Sequence, residues 1–578
     1  MGKSNDGRGN TTTGLNTASP SFSEIPLDGA VPRTEGICES QPLQIDVEVL
    51  GRQRPAIFKT RWAELGFCFS LLGSIFMGEY FVSGFHIVLP PLAAALEIPK
   101  NSQTWPSSVF SLVTGACLLP LGRVGDMYGG DVLYTGGMAW FFLWSLVAGF
   151  SNNYTQLVVF RAMQGLGCAA CLPAGIMLLG KIYRPGPRKN LVFGIYGASA
   201  PIGFFFGILF GGAAGQYLTW RWYFWLGAIF LAVVCAISFL TVPRDKRDKN
   251  GPEIKMDWPG ALTIVPGLVL FVYALTDSSS APKGWASPHI IATFVIGVVL
   301  LCLAVYIQGW VSKNPLLPAA LFSPKDMKPL VFALFLSYGS FGVFLLYSSF
   351  YIELVMHQSP IITAVWYIPM VLGGLTIGMS AGFTLHLLPG RILLIIAGTA
   401  LTICPLLFAI MPEGVGYWPY VFPSMIACTV GIDITYTVTN VFITTNLPAR
   451  YQGLAGAIIN SVVFLGISFF LGIADIGVGA TSHLGLRKSY KTGFWIAVGL
   501  AGVATCFFAC MKIGHAKSDL TLEEKAQLEE ELMRQRELAA QGGLESARES
   551  RSVLGSGTAM AVAAEGAPAS DSQAEKSG

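Results

Sequence analysis

About fourteen apolar stretches, each close to the length needed to cross a lipid bilayer, follow one another between residues 63 and 512. A bilayer core is about 30 Å thick, and a helix needs about 20 predominantly apolar residues to cross it. Because lipid offers the backbone no hydrogen bonds, only helices and closed barrels can span it. Stretches of this length therefore predict an all-α, polytopic membrane protein with about 14 transmembrane helices.

The composition excludes several other classes of protein. Hydrophobic residues make up 53% of the chain and charged residues 12%, whereas a soluble domain has about 25% charged residues. The net charge is only +3, and the basic residues lie in short loops, so we expect no nucleic-acid partner. Cys168 and Cys171 lie within a span and lack a second Cys or His pair, so we interpret them as packing residues. We expect neither a metal nor a cofactor.

The order of apolar and polar segments divides the chain into five parts. We expect two six-helix bundles with two inserted helices between them, and a polar segment at each terminus. The predicted parts are a disordered cytoplasmic arm at 1–62, an N-terminal bundle at 63–242, a linker with two inserted transmembrane helices at 243–327, a C-terminal bundle at 328–512, and a cytoplasmic helix with a disordered tail at 513–578.

The basic residues of the loops predict an orientation. If the N-terminus is cytoplasmic, the loops on that side carry most of the Lys and Arg residues, as in the run of residues 244–249. This is the positive-inside bias, and it places both termini in the cytoplasm. Three basic residues on the opposite side are exceptions to this bias: Arg487, Lys488 and Lys491. We favour the plasma membrane as the location, with a vacuolar membrane as the alternative, and we expect a monomer.

A buried arginine stands out in the fourth span. Arg161, with Gln164 one turn later, lies in an otherwise apolar stretch. A guanidinium at membrane depth costs roughly 2.5–3.5 kcal/mol on insertion scales, so it normally faces a protein interior or an aqueous cavity. We therefore interpret Arg161 and Gln164 as residues of a cavity.

The fifth span carries glycines at four-residue intervals after a proline. Gly203, Gly207 and Gly211 follow Pro201 and share one helix face. Small residues let a neighbouring helix backbone come close, and proline removes one helical hydrogen bond and bends the span. We interpret the stripe as a hinge or as a close-packed seal, with static packing as the alternative.

A glycine-rich segment joins the second and third spans. Gly122, Gly125 and Gly129 permit a tight turn there, and Asp126 is placed to pair with a basic group or a helix N-terminus at the membrane edge. We interpret these four residues as a tight turn at the membrane edge.

These segments resemble signatures of the major facilitator superfamily. Residues 122–131 resemble its loop between helices two and three, in which an acid and glycines hold a gating contact. The resemblance implies that the gating loop consists of Gly122, Gly125, Asp126 and Gly129. Residues 160–167 resemble its fourth-helix signature, and residues 197–203 its fifth-helix antiporter signature. The fourteen spans are similar to the drug:proton antiporter-2 family, and in particular to its fungal aminotriazole-resistance-like branch. The resemblance implies proton coupling through Arg161 and two bundles that rock around a site at the midplane.

Other polar residues inside spans are candidates for the same site. Glu79 and His86 lie seven residues apart, on one face of the first span. We hypothesise that Glu79 is a coupling or substrate-binding acid that shares a central cavity with Arg161; the alternative is a structural hydrogen bond. Asp433 either lines the cavity or is satisfied by nearby hydroxyls. Asp475 is expected close to the outer surface.

The sequence favours proton-coupled export of a small organic compound, such as a drug, toxin or secondary metabolite. One alternative is a facilitator or uptake transporter for a small polar solute such as borate or ammonium. A second alternative is a sensor that signals through its tails without transport. No nucleophile paired with a base and no phosphate-binding loop appears in the sequence, so we expect no enzyme.

Overall fold

The computed structural model describes residues 54–183, 187–244, 255–447 and 449–513. The helices of these residues, in chain order, are α1 (Arg61–Ala95), α2 (Trp105–Tyr128), α3 (Gly130–Ala148), α4 (Tyr154–Ile182), α5 (Pro187–Tyr217), α6 (Arg221–Thr241), α7 (Trp258–Asp277), α8 (Pro288–Tyr306), α9 (Met327–Phe350), α10 (Pro360–Trp366), α11 (Ile368–Leu387), α12 (Gly390–Ile410), α13 (Tyr417–Asn446), α14 (Ala449–Ala480) and α15 (Leu486–Cys510). A π-helical turn extends α8 to Val311 and α9 to Val355.

Fourteen helical spans in the described residues are long and apolar enough to cross a bilayer, with α10 and α11 together forming the tenth. This confirms the predicted all-α fold and the number of spans. The C-terminal helix expected beyond residue 513, and most of the N-terminal arm, lie outside the described residues.

Side-chain caps fix where several helices begin. The Thr60 hydroxyl accepts a hydrogen bond from the backbone N–H of Ala63 at 3.1 Å, ahead of α1. The Asn153 side chain accepts one from Gln156 at 2.9 Å, ahead of α4. Each cap satisfies a backbone N–H that has no partner within its helix. The short loops between spans therefore end at defined residues.

The helices pack as two bundles of six spans with two helices inserted between them. In the first bundle, α1 packs along α5, and α4 packs against α2 and α3. In the second bundle, α9 packs against α14 and α15, while α12 packs against α13 and α15. The bundles meet where α2 contacts α14 and where α5 contacts α10 and α11. The inserted helices α7 and α8 pair with each other, and α7 also contacts α2 and α14.

The chain reverses direction at each loop, which gives the molecule two ends. We call the end that holds the loop between α1 and α2 the α1–α2 end. The loops that follow α3, α5 and α7 lie at this end as well. We call the opposite end, where α2 turns into α3, the α2–α3 end. The predicted orientation puts the α1–α2 end outside the cell.

The glycine stripe of α5 forms a close seam with α1. A Cβ atom added at Gly207 would lie 2.5 Å from the carbonyl oxygen of Tyr80, and one at Gly211 would lie 2.5 Å from that of Gly84. Gly203 faces the backbone of Phe76 in the same way. Real Cβ atoms do not approach so closely, so this face of α5 requires glycine. The structure thus places the stripe in tight packing, and α5 continues as a helix through Pro201.

The glycine-rich segment between the second and third spans is mostly helical. Gly122 and Gly125 belong to the last turns of α2, which continues to Tyr128. Only Gly129 breaks the helix, with a φ of 107° that favours glycine. The predicted loop is therefore a single-residue turn, because one glycine in a helix costs only about 1 kcal/mol and packing outweighs it. Arg123 lies 4.0 Å from the Asp126 carboxylate, one turn along α2.

Candidate functional site

Arg161 of α4 is buried, with 1% of its surface exposed. Its guanidinium donates hydrogen bonds to the carbonyl oxygens of Phe81 at 3.2 Å and Pro106 at 3.3 Å. It also stacks on two aromatic rings, with its central carbon 4.1 Å from the centre of Phe85 and 4.6 Å from that of Phe110. Backbone oxygens and ring faces therefore stabilise a positive charge here, and no carboxylate of the described residues forms an ion pair with it.

Gln164 extends this network. Its side-chain oxygen accepts a 2.9 Å hydrogen bond from Arg161, and its amide donates one of 2.7 Å to the Ser145 hydroxyl. The network joins α4 to α1, α2 and α3 and holds Arg161 in one orientation. Glu79 and Arg161 both lie within electrostatic range of Cys168, and the cavity proposed for this pair stays a prediction.

His86 lies beside this network near the α1–α2 end and is also buried. Its Nδ1 atom is 3.1 Å from the Ser107 hydroxyl of α2. Its carbonyl oxygen accepts a 3.3 Å hydrogen bond from Ser349 of α9, which belongs to the other bundle. His86 is therefore placed at the contact between the bundles.

Glu79 lies in the middle of α1 and is only partly buried, whereas Gly78 and Tyr80 beside it are buried. It comes within electrostatic range of Asp433 on α13, so the two acids of the two bundles approach each other across the interior. Asp433 accepts a 2.5 Å hydrogen bond from Thr429 one turn earlier. A nearby hydroxyl, as expected in one interpretation of Asp433, therefore bonds to its carboxylate. The carboxylate still lies near the contact between the bundles.

A glycine of the second bundle lets three helices meet beside Asp433. A Cβ atom added at Gly374 of α11 would lie 3.1 Å from the Asp433 carboxylate and 3.5 Å from the ring of Pro201 on α5. Pro201 therefore lies at the place where α5 passes the acid of the other bundle. Sequence reasoning identified Pro201 and Asp433 separately, without a signal that they are neighbours.

Two tyrosines lie within electrostatic range of the acids, and a third tyrosine and an asparagine lie close to one of these tyrosines. Tyr338 of α9 lies within electrostatic range of both Glu79 and Asp433. Tyr436 of α13 donates a 3.3 Å hydrogen bond to Asn460 of α14 and lies within range of Glu79. Tyr196 of α5 has a buried hydroxyl without a hydrogen-bond partner in the described part of the chain. We call Glu79, Asp433, Tyr196, Tyr338, Tyr436 and Asn460 the central site.

Sequence reasoning missed the tyrosines of the central site. Tyr338 and Tyr436 lie in spans rich in hydroxyl and aromatic residues, where most such side chains only pack.

Two other acids inside the spans are buried and do not lie at the surface. Asp475 lies at the predicted outer end but is buried and bonded, and Glu353 lies in the last turn of α9. Among the described residues, no cluster of three or more His, Cys, Asp or Glu side chains has the arrangement of a metal site.

Two helix bundles with opposing acids at their contact are the architecture of a membrane transporter. Residues 69–471 match the family model described as Major Facilitator Superfamily. The chain belongs to the major facilitator superfamily. It is therefore a multi-pass membrane transporter and not an enzyme.

The curated relatives that match most of the chain are fungal. The low affinity ammonium transporter of Saccharomyces cerevisiae is 32% identical over 410 residues, which cover 69% of this chain and 79% of the relative. The aminotriazole resistance protein of the same yeast is 30% identical and covers 78% of this chain and 84% of the relative. The efflux pump terJ of Aspergillus terreus is 29% identical, with 77% and 87% covered. The predicted resemblance to a fungal aminotriazole-resistance-like branch is confirmed.

Solved structures of remote sequence share the fold. A peptide transporter POT superposes with a TM-score of 0.54 at 15% identity, over 80% of this chain and 98% of that structure. The human organic anion transporter MFSD10 superposes with a TM-score of 0.51 at 15% identity, over 77% and 99%. At this identity the likeness concerns the fold alone.

Proposed function

We propose that this transporter exports a small organic compound, such as a drug, toxin or secondary metabolite, in exchange for protons by alternating access. The observation that carries the proposal is the approach of Glu79 in one bundle to Asp433 in the other. Two carboxylates within electrostatic range of each other in a poorly solvated interior repel when both are ionised. A proton or a cation bound between the carboxylates relieves the repulsion. The proton and a cationic substrate can therefore compete for the same binding site.

The surroundings of the acids favour a particular chemistry of substrate. Tyr196, Tyr338 and Tyr436 offer ring faces and hydroxyls. The buried guanidinium of Arg161 is already bound by carbonyl oxygens and rings. Aromatic faces attract cations, and carboxylates pair with them. We therefore expect an organic cation with an apolar body to bind better than an anion of the same size.

A facilitator for a small polar solute is the second candidate. The relative named a low affinity ammonium transporter favours it, because an ammonium ion would suit the same two carboxylates. The two candidates differ in the energy they use. An exchanger's flux stops when the proton gradient is removed, whereas a facilitator's flux continues down the solute gradient.

The loop charges support an orientation for the chain. We propose a plasma-membrane protein with both termini in the cytoplasm and the α1–α2 end outside, and a vacuolar membrane remains the alternative. Export then requires the central site to open alternately to the α2–α3 end and the α1–α2 end. We expect a single chain to suffice, since each bundle supplies one acid of the central site.

Reconstituted vesicles test the proposed exchange. Uptake of a cationic dye such as ethidium, an anionic dye such as fluorescein and radiolabelled ammonium is measured with and without an imposed pH gradient. Cation flux that requires the gradient is the expected result for the parent protein. Glu79→Gln should abolish the gradient-driven flux, whereas Glu413→Gln, at an exposed loop acid, should leave it unchanged. Gradient-driven flux that persists in Glu79→Gln removes Glu79 from the coupling mechanism.

A further inference from the structure

Asp475 of α14 joins three elements of the molecule near the α1–α2 end. Its carboxylate accepts a 2.7 Å hydrogen bond from Thr104, which precedes α2 in the first bundle. It accepts another from Ser279, which follows the inserted helix α7. Tyr347 of α9 donates a third, at 3.4 Å, from within the second bundle. Only 5% of the Asp475 surface is exposed, so one buried carboxylate holds both bundles and the inserted pair.

The segment that follows α7 is bonded to the first bundle as well. Ser280 donates a 2.6 Å hydrogen bond to the carbonyl oxygen of Asn101, in the loop between α1 and α2. The Asn101 amide donates to the carbonyl oxygen of Ser279 at 3.3 Å. One turn before Asp475 in α14, a Cβ atom added at Gly472 would lie 2.7 Å from the Thr276 hydroxyl of α7. The inserted pair therefore lies tightly across the contact between α2 and α14.

The hydrogen bonds at the opposite end of the inserted pair join different parts of the molecule. Asp257, which caps the start of α7, binds Gln308 in the final turn of α8. Gln308 in turn accepts a 3.1 Å hydrogen bond from the backbone N–H of Leu317, a short distance along the chain. These contacts join the pair to itself and to its own connecting segment. The contacts of Asp475 and Ser279, by contrast, cross from one bundle to the other.

We propose that Asp475 is a latch that keeps the α1–α2 end closed and that the inserted helices α7 and α8 are part of this gate through Ser279. Separation of α2 from α14 at this end requires Thr104 and Ser279 to leave the carboxylate. An unpaired buried carboxylate is costly, so water must replace Thr104 and Ser279 while Tyr347 of the same bundle keeps its hydrogen bond to Asp475. The inserted pair then moves with the gate and is not a passive spacer between the bundles.

Asp475 is a positioning residue in this proposal, and the central site stays unchanged. The proposal goes beyond the exchange of protons and substrate and rests only on alternating access of the two bundles. The seam between α5 and α10 offers an independent readout. It closes the same end on the other side of the molecule, where Gln216 accepts a 3.2 Å hydrogen bond from the backbone N–H of Ile361. A local loss of packing at Asp475 would leave that seam closed.

Hydrogen–deuterium exchange of the full-length protein in nanodiscs, without substrate or gradient, tests the latch. Asp475→Asn and Ser279→Ala should each speed amide exchange about tenfold at the start of α2 and in the α5–α10 seam. Asp277→Asn is the matched control. Asp277 lies at the same end, but its contacts to Tyr273 and His289 stay within the inserted pair. Its substitution should leave both regions at the parent rate.

The outcomes separate the latch from a structural role. Faster exchange in the α5–α10 seam with an unchanged melting temperature supports the latch. Exchange in that seam at the parent rate in both Asp475→Asn and Ser279→Ala overturns the proposal, and so does equal acceleration by Asp277→Asn. Ser279→Ala keeps the test decisive if Asp475→Asn does not fold. Because the experiment uses no pH gradient, its failure leaves the proposed exchange untouched.

Discussion

The α1–α2 end and the α2–α3 end of this transporter are held together by different kinds of contact. At the α1–α2 end, hydroxyl and carboxylate groups cross between the bundles. Asp475 binds Thr104, Ser349 binds the carbonyl oxygen of His86, and Gln216 binds Ile361. Among the described residues of the α2–α3 end, Arg188 binds Glu64 and Arg391 binds Ala509, and each of these contacts joins helices of one bundle. The described contacts of the two ends therefore differ in whether they cross between the bundles.

The polar contacts at the α2–α3 end stabilise each bundle by itself. Arg188 of α5 donates two hydrogen bonds to the Glu64 carboxylate of α1, at 2.8 and 2.6 Å, and Tyr183 donates a third at 3.1 Å. The hydrogen bond to Glu64 raises the pKa of Arg188, so this arginine stays charged. In the other bundle, Arg391 donates to the carbonyl oxygen of Ala509 at 2.6 Å. Each bundle can therefore move at this end as a rigid unit.

The helix α5 carries the same asymmetry along its length. Gly207 and Gly211, on the side of Pro201 towards the α1–α2 end, touch the backbone of α1. On the side towards the α2–α3 end, a Cβ atom added at Gly194 or Gly197 meets no atom of another described element within 4 Å. One helix therefore contributes a tight seam at one end and open space at the other.

The largest expected effect comes from filling the tight half of α5. Gly207→Val places a side chain against the backbone of Tyr80, which cannot move without separating α1 from α5. Overpacking of this kind costs about 3 kcal/mol or more. We expect a lower melting temperature and loss of transport, measured by thermal unfolding in detergent and by vesicle flux.

The matched control lies on the same helix. Gly197→Val adds the same side chain where an added Cβ meets no neighbour. Valine has a higher helix propensity than glycine, so stability should be kept or improved by a few tenths of a kcal/mol. An equal loss of stability in both variants contradicts the asymmetry of α5.

A smaller effect is expected from the contact within one bundle at the α2–α3 end. Glu64→Gln removes the charge that Arg188 and Tyr183 share. Hydrogen bonds to charged groups contribute roughly 1.5–3 kcal/mol, and solvent reaches Arg188, so we expect a loss near the lower value. Thermal unfolding should report it, while amide exchange at the α1–α2 end stays unchanged.

Arg123→Gln is the matched control at the same end. Arg123 and Asp126 are partly exposed and 4.0 Å apart. Exposed ion pairs contribute about 0–1 kcal/mol, so the melting temperature should hardly change. If Glu64→Gln instead opens the α1–α2 end, the two ends are coupled through α1 and the contrast drawn between them fails.

The smallest expected effect concerns a single contact between the bundles. Gln216→Ala removes the hydrogen bond to the backbone N–H of Ile361. Neutral hydrogen bonds contribute about 0.5–1.5 kcal/mol, so the population open at the α1–α2 end should rise several-fold without a fall in melting temperature. Pulsed electron spin resonance distances measure this population. Gln358→Ala, whose side chain binds only Met356 nearby, should leave it unchanged.

Much of the fold could be predicted from the sequence, because membrane helices obey a strong length and hydropathy rule. The fourteen spans and the glycine face of α5 could be predicted without knowledge of how the helices pack. The burial of Arg161 followed from the cost of a charge in lipid. Its partners did not, because the carbonyl oxygens of Phe81 and Pro106 reach it only through the angles at which α1, α2 and α4 cross.

The candidate site was predicted less completely for the same physical reason. Glu79 and Asp433 were each recognisable as acids inside spans, but their spans are far apart in the chain. Their approach depends on how the two bundles face each other. Asp475 was expected near the outer surface, and its burial depends on Thr104 and Ser279, which are ordinary loop residues in the sequence. Contacts between bundles carry no local signal.

Distances between the bundles at both ends test the central claim most directly. Spin-labelled unnatural amino acids at the exposed positions Tyr217 and Trp418 report the α1–α2 end, and those at Tyr128 and Leu388 report the α2–α3 end. Alternating access predicts that conditions which lengthen the distance at the α1–α2 end shorten the distance at the α2–α3 end. Substrate or an imposed pH gradient should therefore change these two distances in opposite directions. If both distances lengthen together, or neither responds, the two bundles do not rock around the central site.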